Sequence, residues 1–180
     1  FQIMHVMDEY DPEMDRLLFY LPLAGSAFKK VYFDDMLDRA VSRFVPADDL
    51  LVPYNATDLS SASRVTHVIR MNTNDVRKFQ AAGFYQDVEL LPYDDADELR
   101  EKERNLVGIE KTGGDEQDCT LLEVHTDLDL PGFEHESPFD GEKTGIKLPY
   151  IVTIDEGSSK ILALRRNWRE GDEFYRKLQY

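Results

Sequence analysis

A chain of 180 residues is long enough to form a hydrophobic core, since about 70% of the unfolded surface is buried at this size. With 42% hydrophobic and 32% charged residues, the composition excludes a disordered tail. The net charge of −15 argues against a surface that grips nucleic acid through its phosphates, because such a surface needs clustered Lys and Arg.

Cys119 is the only cysteine, which excludes a disulfide framework and a cysteine zinc cluster and favours a reducing compartment. The first residues lack a basic n-region and an uninterrupted apolar h-region, so we expect them to be neither a signal peptide nor a membrane anchor. Phe1 is not an initiator Met, and Tyr180 directly follows a well-patterned segment. We therefore expect a piece excised from a longer protein, with a natural mature terminus as the alternative.

Apolar residues recur at three- and four-residue steps over residues 3–21 and predict a helix. This apolar face comprises Ile3, Val6, Met7, Tyr10, Met14, Leu17, Leu18 and Leu21. The acidic residues on the opposite face are expected in solvent. Pro12 leaves two readings open, since either the helix kinks there or a new helix begins at Asp11 with proline at its first position.

The stretch Leu17 to Phe33 is expected to organise the fold, because it passes from a helix through small residues directly into a strand. Its first part is the densest apolar run in the chain. Pro22 and Gly25 interrupt that run too early for a membrane span, so we predict that it lies in the protein interior. Small residues at 24–27 allow a sharp turn before the strand.

Residues 28–33 and 40–45 have strand composition and predict a β-hairpin. Residues 46–54 predict one helical turn followed by an extended piece, and residues 55–63 predict a loop. Alternation over residues 64–71 predicts a third strand.

Two further helices are predicted. The first covers residues 74–82, with Asn72 or Thr73 as its cap and Gly83 at its end. The second, at 96–107, is highly charged and is interpreted as a solvated helix.

In the C-terminal part, residues 120–130 predict a strand, 148–154 and 160–166 predict a β-hairpin, and 108–118 and 131–145 predict exposed loops. The predicted class is α+β, with an N-terminal helix packed on a mixed, mostly antiparallel sheet. We expect residues 1–180 to form one domain, in which 1–107 is rich in helix and strand and 119–180 is mostly antiparallel β.

The best metal candidates are His125, Asp127 and Asp129, with Glu134-His135-Glu136 a few residues on, because imidazole and carboxylate together bind zinc, manganese or iron. Within the predicted strand, the first three share one face, which is expected to be the solvent face opposite the leucines. A polar outward row therefore explains the same residues without a metal.

No catalytic motif is found in the sequence. No serine lies in a GxSxG elbow, and Gly113-Gly114 lacks the features of a phosphate-binding loop. Cys119 is interpreted as a buried small hydrophobe and His67 as a structural histidine. We therefore expect a protein that is not an enzyme, with no catalytic, cofactor-binding or metal-binding residue and no cofactor.

One basic concentration is interleaved with aromatic residues, as in single-strand binding surfaces. It comprises Arg165, Arg166, Trp168, Arg169, Phe174, Tyr175, Arg176 and Lys177. Acidic residues interrupt this segment, which favours a salt-bridged strand end or a subunit contact.

An ordered series of segments resembles the portal proteins of short-tailed, double-stranded DNA bacteriophages. These segments are EMDRLLFYLPLAGSAFKKVYFD at 13–34, SRFVPADDLLVPYNATDLSSASRVTHVIRM at 42–71 and DVRKFQAAGFYQDVEL at 75–90. The segment LPYIVTIDEGSSKILALRRNW at 148–168 is similar in arrangement. The likeness rests on this series and not on one motif.

The resemblance implies a segment of the portal wing, within a homo-oligomeric ring, usually of twelve copies, at one capsid vertex. Double-stranded DNA is packaged and ejected through such a ring without sequence-specific binding. The implied partners are coat and scaffold proteins, the packaging terminase and the tail adaptor. The implied location is the virion, assembled in the host cytoplasm, with no membrane contact.

Subunit contacts are expected at the charged helix 96–107 and at segment 165–177, which have opposite charge. Two alternatives stay open at this point. One is a metal-dependent hydrolase that uses His125, Asp127, Asp129 and His135. The other is a module that docks other proteins through its acidic face.

Overall fold

The computed structural model describes residues 7–34, 36–90, 118–169, 172–177 and 179–180. The fold is α+β, as predicted. Its elements are α1 (Tyr10–Ala24), β1 (Ala27–Asp34), β2 (Arg39–Pro46), a 3-10 turn (Ala47–Asp49), β3 (Leu50–Leu51), β4 (Arg64–Asn72), α2 (Thr73–Ala81), β5 (Asp118–Leu128), β6 (Leu148–Asp155), β7 (Ile161–Arg166), β8 (Trp168–Arg169) and β9 (Asp172–Arg176). The helix predicted at 96–107 lies outside the described residues.

The strands form three sheets. The largest has the order β3-β4-β5-β6-β7, so β6 and β7 are neighbours, as the predicted C-terminal hairpin requires. Strands β8 and β9 form an antiparallel ribbon. Strands β1 and β2 form the predicted N-terminal hairpin, in which Val31 pairs with Ser42 and Lys29 pairs with Phe44. Neither helix in the described ranges has the length and apolarity needed to cross a membrane.

The chain divides into two compact units. The first takes its described residues from Phe1–His67, Val124–Ile151 and Arg166–Tyr180, and the second from Val68–Glu123 and Val152–Arg165. The core of the first unit comprises Val45, Leu50, Ala62 and Val65, with Phe28, Ala56, Leu59 and Tyr180 packed against it. The core of the second comprises Val76, Cys119, Leu121 and Leu162, with Ile69, Met71, Tyr85, Val88 and Leu90 packed against it.

Helix α2 has the boundaries that its sequence predicts to within one residue. The Asn72 side chain accepts a hydrogen bond from the Asn74 backbone N–H at 2.8 Å and so caps the helix. Val76 is fully buried, as predicted, and Gly83 follows the helix with a positive φ of 81°.

Helix α1 begins later than predicted, because residues 7–9 are not helical. Pro12 lies in the first turn of α1, which nearly matches the interpretation that a helix begins at Asp11. After Ala24, the backbone N–H of Gly25 donates to the Leu21 carbonyl at 3.0 Å, and Gly25 has a φ of 76° that a residue with a Cβ rarely adopts. The predicted passage from helix through a small-residue corner into a strand is therefore confirmed.

The prediction that the apolar run of α1 lies in the interior is wrong, because no described residue of this helix is buried. Leu17 is half-buried, whereas Leu18 to Leu23 are exposed. The physical reason is that the side of α1 facing the β1–β2 hairpin carries acidic side chains that bond to the hairpin. The matching prediction, that the acidic face of this helix is entirely in solvent, is also wrong.

Strand β5 faces the opposite way from its prediction. Cys119, Leu121 and His125 are buried, whereas Leu122 and Val124 are only partly buried. The strand begins at Asp118, two residues earlier than predicted, so Cys119 and Leu121 precede His125 on one side of the strand. The expected solvent face for His125 is therefore wrong.

Candidate interaction surface

Ionic and polar groups attach α1 to the β1–β2 hairpin. Glu9 Oε1 lies 2.7 Å from Arg39 Nη1, and this hydrogen-bonded ion pair lowers the pKa of Glu9 to about 2. Glu13 Oε2 accepts a hydrogen bond from the backbone N–H of Phe44 at 2.6 Å. Glu9 and Glu13 are four residues apart and therefore lie on the same side of the helix.

Aromatic rings complete the contact between the helix and the hairpin. The ammonium of Lys29 lies 3.7 Å from the ring centroid of Tyr10, a cation–π contact. Burial lowers the pKa of Lys29, against the opposing effect of the nearby carboxylates. The Tyr20 ring stacks on the Phe44 ring with centroids 5.3 Å apart. These contacts fix which side of α1 faces the hairpin.

Exposed apolar side chains lie on α1 and on the β1–β2 hairpin. Among them, with their exposed fractions, are Leu18 (57%), Phe19 (66%), Leu21 (41%), Leu23 (71%), Val31 (51%) and Phe33 (56%). Val31 and Phe33 alternate with Lys29 along β1, so they lie on the same hairpin face as the lysine that contacts α1. We call these six residues the apolar surface.

Carboxylates outnumber cations in the first half of α1 and its contact with the hairpin. The carboxylates of α1 and the residues just before it are Asp8, Glu9, Asp11, Glu13 and Asp15, and the cations of α1 and the hairpin contact are Arg16, Lys29 and Arg39. Arg39 pairs with Glu9, and Arg16 lies 3.3 Å from Glu13. Asp15 has no ion pair within the described residues, so the border of the apolar surface is acidic.

The predicted metal candidates do not come together. His125 is only 4% exposed, and its Nδ1 lies 3.3 Å from Nδ2 of Asn167. Its ring meets the Tyr180 ring edge-on, with centroids 5.4 Å apart. Asp127 Oδ1 lies 3.4 Å from Arg176 Nε. Both residues therefore serve internal contacts of the first unit.

His135 and Asp129 lie in different surroundings. His135 Nδ1 is 2.8 Å from the Thr144 hydroxyl, and its ring centroid is 5.1 Å from that of Phe174. Asp129 is exposed. In the described ranges, no group of three or more His, Cys, Asp or Glu side chains is placed to hold a metal ion.

Most of the described basic side chains in segment 165–177 make contacts within their own unit. Arg176 is largely buried and donates to the carbonyl of Ala62. The guanidinium of Arg166 lies 5.2 Å from the ring centroid of Tyr150 and 5.3 Å from that of Trp168. The predicted subunit contact between this segment and helix 96–107 stays a prediction, since that helix lies outside the described residues.

The sequence contained one signal for the apolar surface. Phe19 and Leu23 are four residues apart and form a second apolar row, outside the face from which the helix was predicted. A helix with apolar residues on more than one side has too much apolar area for a single contact. The signal did not indicate which row would face the hairpin.

Comparison with known protein families and with curated proteins gave no match to this chain. The likeness to portal proteins therefore rests on the segments quoted above. The structure itself defines an α+β chain that exposes an apolar helix face with an acidic border.

Proposed function

We propose that the chain is a wing segment of a phage portal protein, a structural subunit of the ring that serves DNA packaging, DNA ejection and head-to-tail joining. The ordered segments at 13–34, 42–71, 75–90 and 148–168 support this proposal through their resemblance to portal proteins. The class of the fold is compatible with it. The proposed location is the virion, after assembly in the host cytoplasm.

The apolar surface is the observation that carries the proposal. Large apolar side chains exposed near one another favour binding to another protein, since water contact with them is unfavourable. Phe19 and Leu23 are mostly exposed and lie at neighbouring positions on one helix. A subunit of a large assembly has a use for such a surface, because another protein covers it after assembly.

A ring needs two different patches on each copy, because head-to-tail contacts must close after a full turn. The strong negative charge also suits a protein beside a DNA channel, because acidic walls repel phosphates and DNA does not adhere to them. The proposed partners are further copies of the chain, coat and scaffold proteins, the packaging terminase and the tail adaptor. In this role the protein catalyses no reaction.

Light scattering and electron micrographs test the proposal. The sample is the protein in the longest form that its gene encodes, purified at several concentrations. We expect a mass of about twelve copies, as in rings of the family that the chain resembles, and particles with a central hole. A monomer at every concentration, together with absence of the protein from purified phage particles, would overturn the proposal.

A further inference from the structure

One row of side chains along α1 changes from acidic to apolar. Asp11, Asp15, Phe19 and Leu23 follow one another at four-residue steps and so form a single ridge on the helix. All four are exposed. The ridge therefore has a negative half and an apolar half.

The charge of the negative half is only partly balanced by the protein itself. Arg39 and Arg16 are each paired with a glutamate that faces the hairpin, and neither pairs with the ridge. Lys29 lies over the Tyr10 ring, and the charge of Asp11 acts on it from a distance. Asp15 has no ion pair within the described residues, so an incoming cation is favoured there.

A second copy of the same surface fits poorly. If two α1 helices met in parallel, Asp11 and Asp15 would face the same carboxylates of the other copy, which is repulsive. If they met antiparallel, the carboxylates would lie against Phe19 and Leu23 and lose their water without gaining a partner. A self-complementary contact is therefore disfavoured in both orientations.

A helix with a row of cations followed by apolar side chains fits both halves of the ridge. Its cations would lie beside Asp11 and Asp15, and its apolar side chains would cover Phe19 and Leu23 with the neighbouring Leu18. We propose that this ridge, together with Leu18, binds a cationic amphipathic helix of a partner protein; this rests on the proposed function, in which the apolar surface is an assembly contact.

Two synthetic peptides test this partner chemistry. Each has about 16 residues, slightly longer than the length at which isolated helices are marginal, and carries a fluorescent label. One has a row of Lys, Lys, Leu and Leu at four-residue steps on an Ala and Gln background. The other has Glu in place of both Lys. Fluorescence anisotropy measures the affinity of each peptide for the 180-residue chain.

We expect the Lys peptide to bind more tightly than the Glu peptide. Asp11→Asn with Asp15→Asn weakens the Lys peptide roughly fivefold to tenfold, as expected for two exposed ion pairs. Phe19→Ser weakens it about tenfold through lost apolar contact. The matched controls are Asp87→Asn with Glu89→Gln, which removes two exposed acids elsewhere, and Tyr54→Ser, which removes an exposed aromatic ring. Both controls leave the affinity unchanged.

Three results would overturn the inference. The first is no binding of the Lys peptide, and the second is an equal loss of affinity in the Asp87 and Glu89 control, which would mean attraction to overall charge alone. The third is a dimer of the free chain in sedimentation that Phe19→Ser abolishes, which would make a second copy the occupant. Ring formation without peptide binding overturns this inference alone, whereas peptide binding by a protein that forms no ring overturns the proposed function alone.

Discussion

Asn167 joins separate parts of the first unit, and its replacement by alanine should destabilise the protein. The side chain is almost fully buried, and its amide donates to His125 Nδ1 and to the Lys177 carbonyl, each at 3.3 Å. Each bond contributes about 0.5–1.5 kcal/mol, and a buried group left without its partner costs about 1–3 kcal/mol. We therefore expect Asn167→Ala to lower the free energy of unfolding by about 2–3 kcal/mol.

Trp168 is the only tryptophan and directly follows Asn167, so its fluorescence in urea reports unfolding near the substitution. Asn55→Ala, which removes an exposed amide from a loop of the same unit, is the matched control and should change stability by less than about 0.5 kcal/mol. The measurement is repeated in a His125→Leu background, where the loss from Asn167→Ala should shrink because one bond is already absent. A loss below about 0.5 kcal/mol, or an equal loss in both backgrounds, would refute the reasoning.

Three further predictions concern the core, the ion pair and the corner. Leu121→Ala, at a fully buried position, should lower the free energy of unfolding by about 2–5 kcal/mol. Phe19→Ser, at an exposed position, should change it by less than about 0.5 kcal/mol. Urea titration measures both, and equal losses would mean that Phe19 is in a core. Because the folded pKa of Glu9 is about 2 against an ordinary 4.5, its pair with Arg39 should stabilise the protein above pH 4.5 and lose that effect as the pH falls towards 2. Thermal melts across this range measure the effect. Between pH 4.5 and 2, the free energy of unfolding of Glu9→Gln should fall by about 0.5–1 kcal/mol less than that of the unmodified chain, a small difference because the partly exposed pair is screened. Identical pH dependence in the two proteins would contradict the assignment. Gly25→Ala should cost about 1–2 kcal/mol in calorimetry, because its φ of 76° is strained with a Cβ although no atom lies within 4 Å; an unchanged melting temperature would count against that strain.

The sequence predicted those elements whose ends depend on local chemistry. The hairpin predicted at 28–33 and 40–45 is observed at Ala27–Asp34 and Arg39–Pro46, and α2 has its predicted cap. Turn residues, caps and strand composition act over a few positions, so the local sequence is enough to predict them. The α+β class followed from these elements.

The orientation of α1 could not be predicted, because periodicity defines the faces of a helix and not their partners. Glu9 and Glu13 face the hairpin because Arg39 and the Phe44 N–H are there to bond with them. Those groups lie about thirty residues further along the chain, and only the folded hairpin brings them to the helix. For the same reason, periodicity alone does not predict the apolar surface.

The position of His125 shows the same limit. Alternation predicts that it lies in the polar row of a strand, where it faces either solvent or a metal. Its contact with Asn167 spans 42 residues of sequence, and Tyr180 lies further still along the chain. Burial by distant segments cannot be read from the strand's own pattern.

The β1–β2 hairpin has only two strands, and such a ribbon would normally offer both of its long edges to strands of other molecules. On the β2 side, the carboxylate of Glu13 accepts the outward N–H of Phe44. On the β1 side, the carbonyl of Gln179 accepts the N–H of Val31 at 2.7 Å. One group thus obstructs each edge, and the chain can display apolar side chains on the hairpin face while strand-by-strand growth into aggregates is hindered.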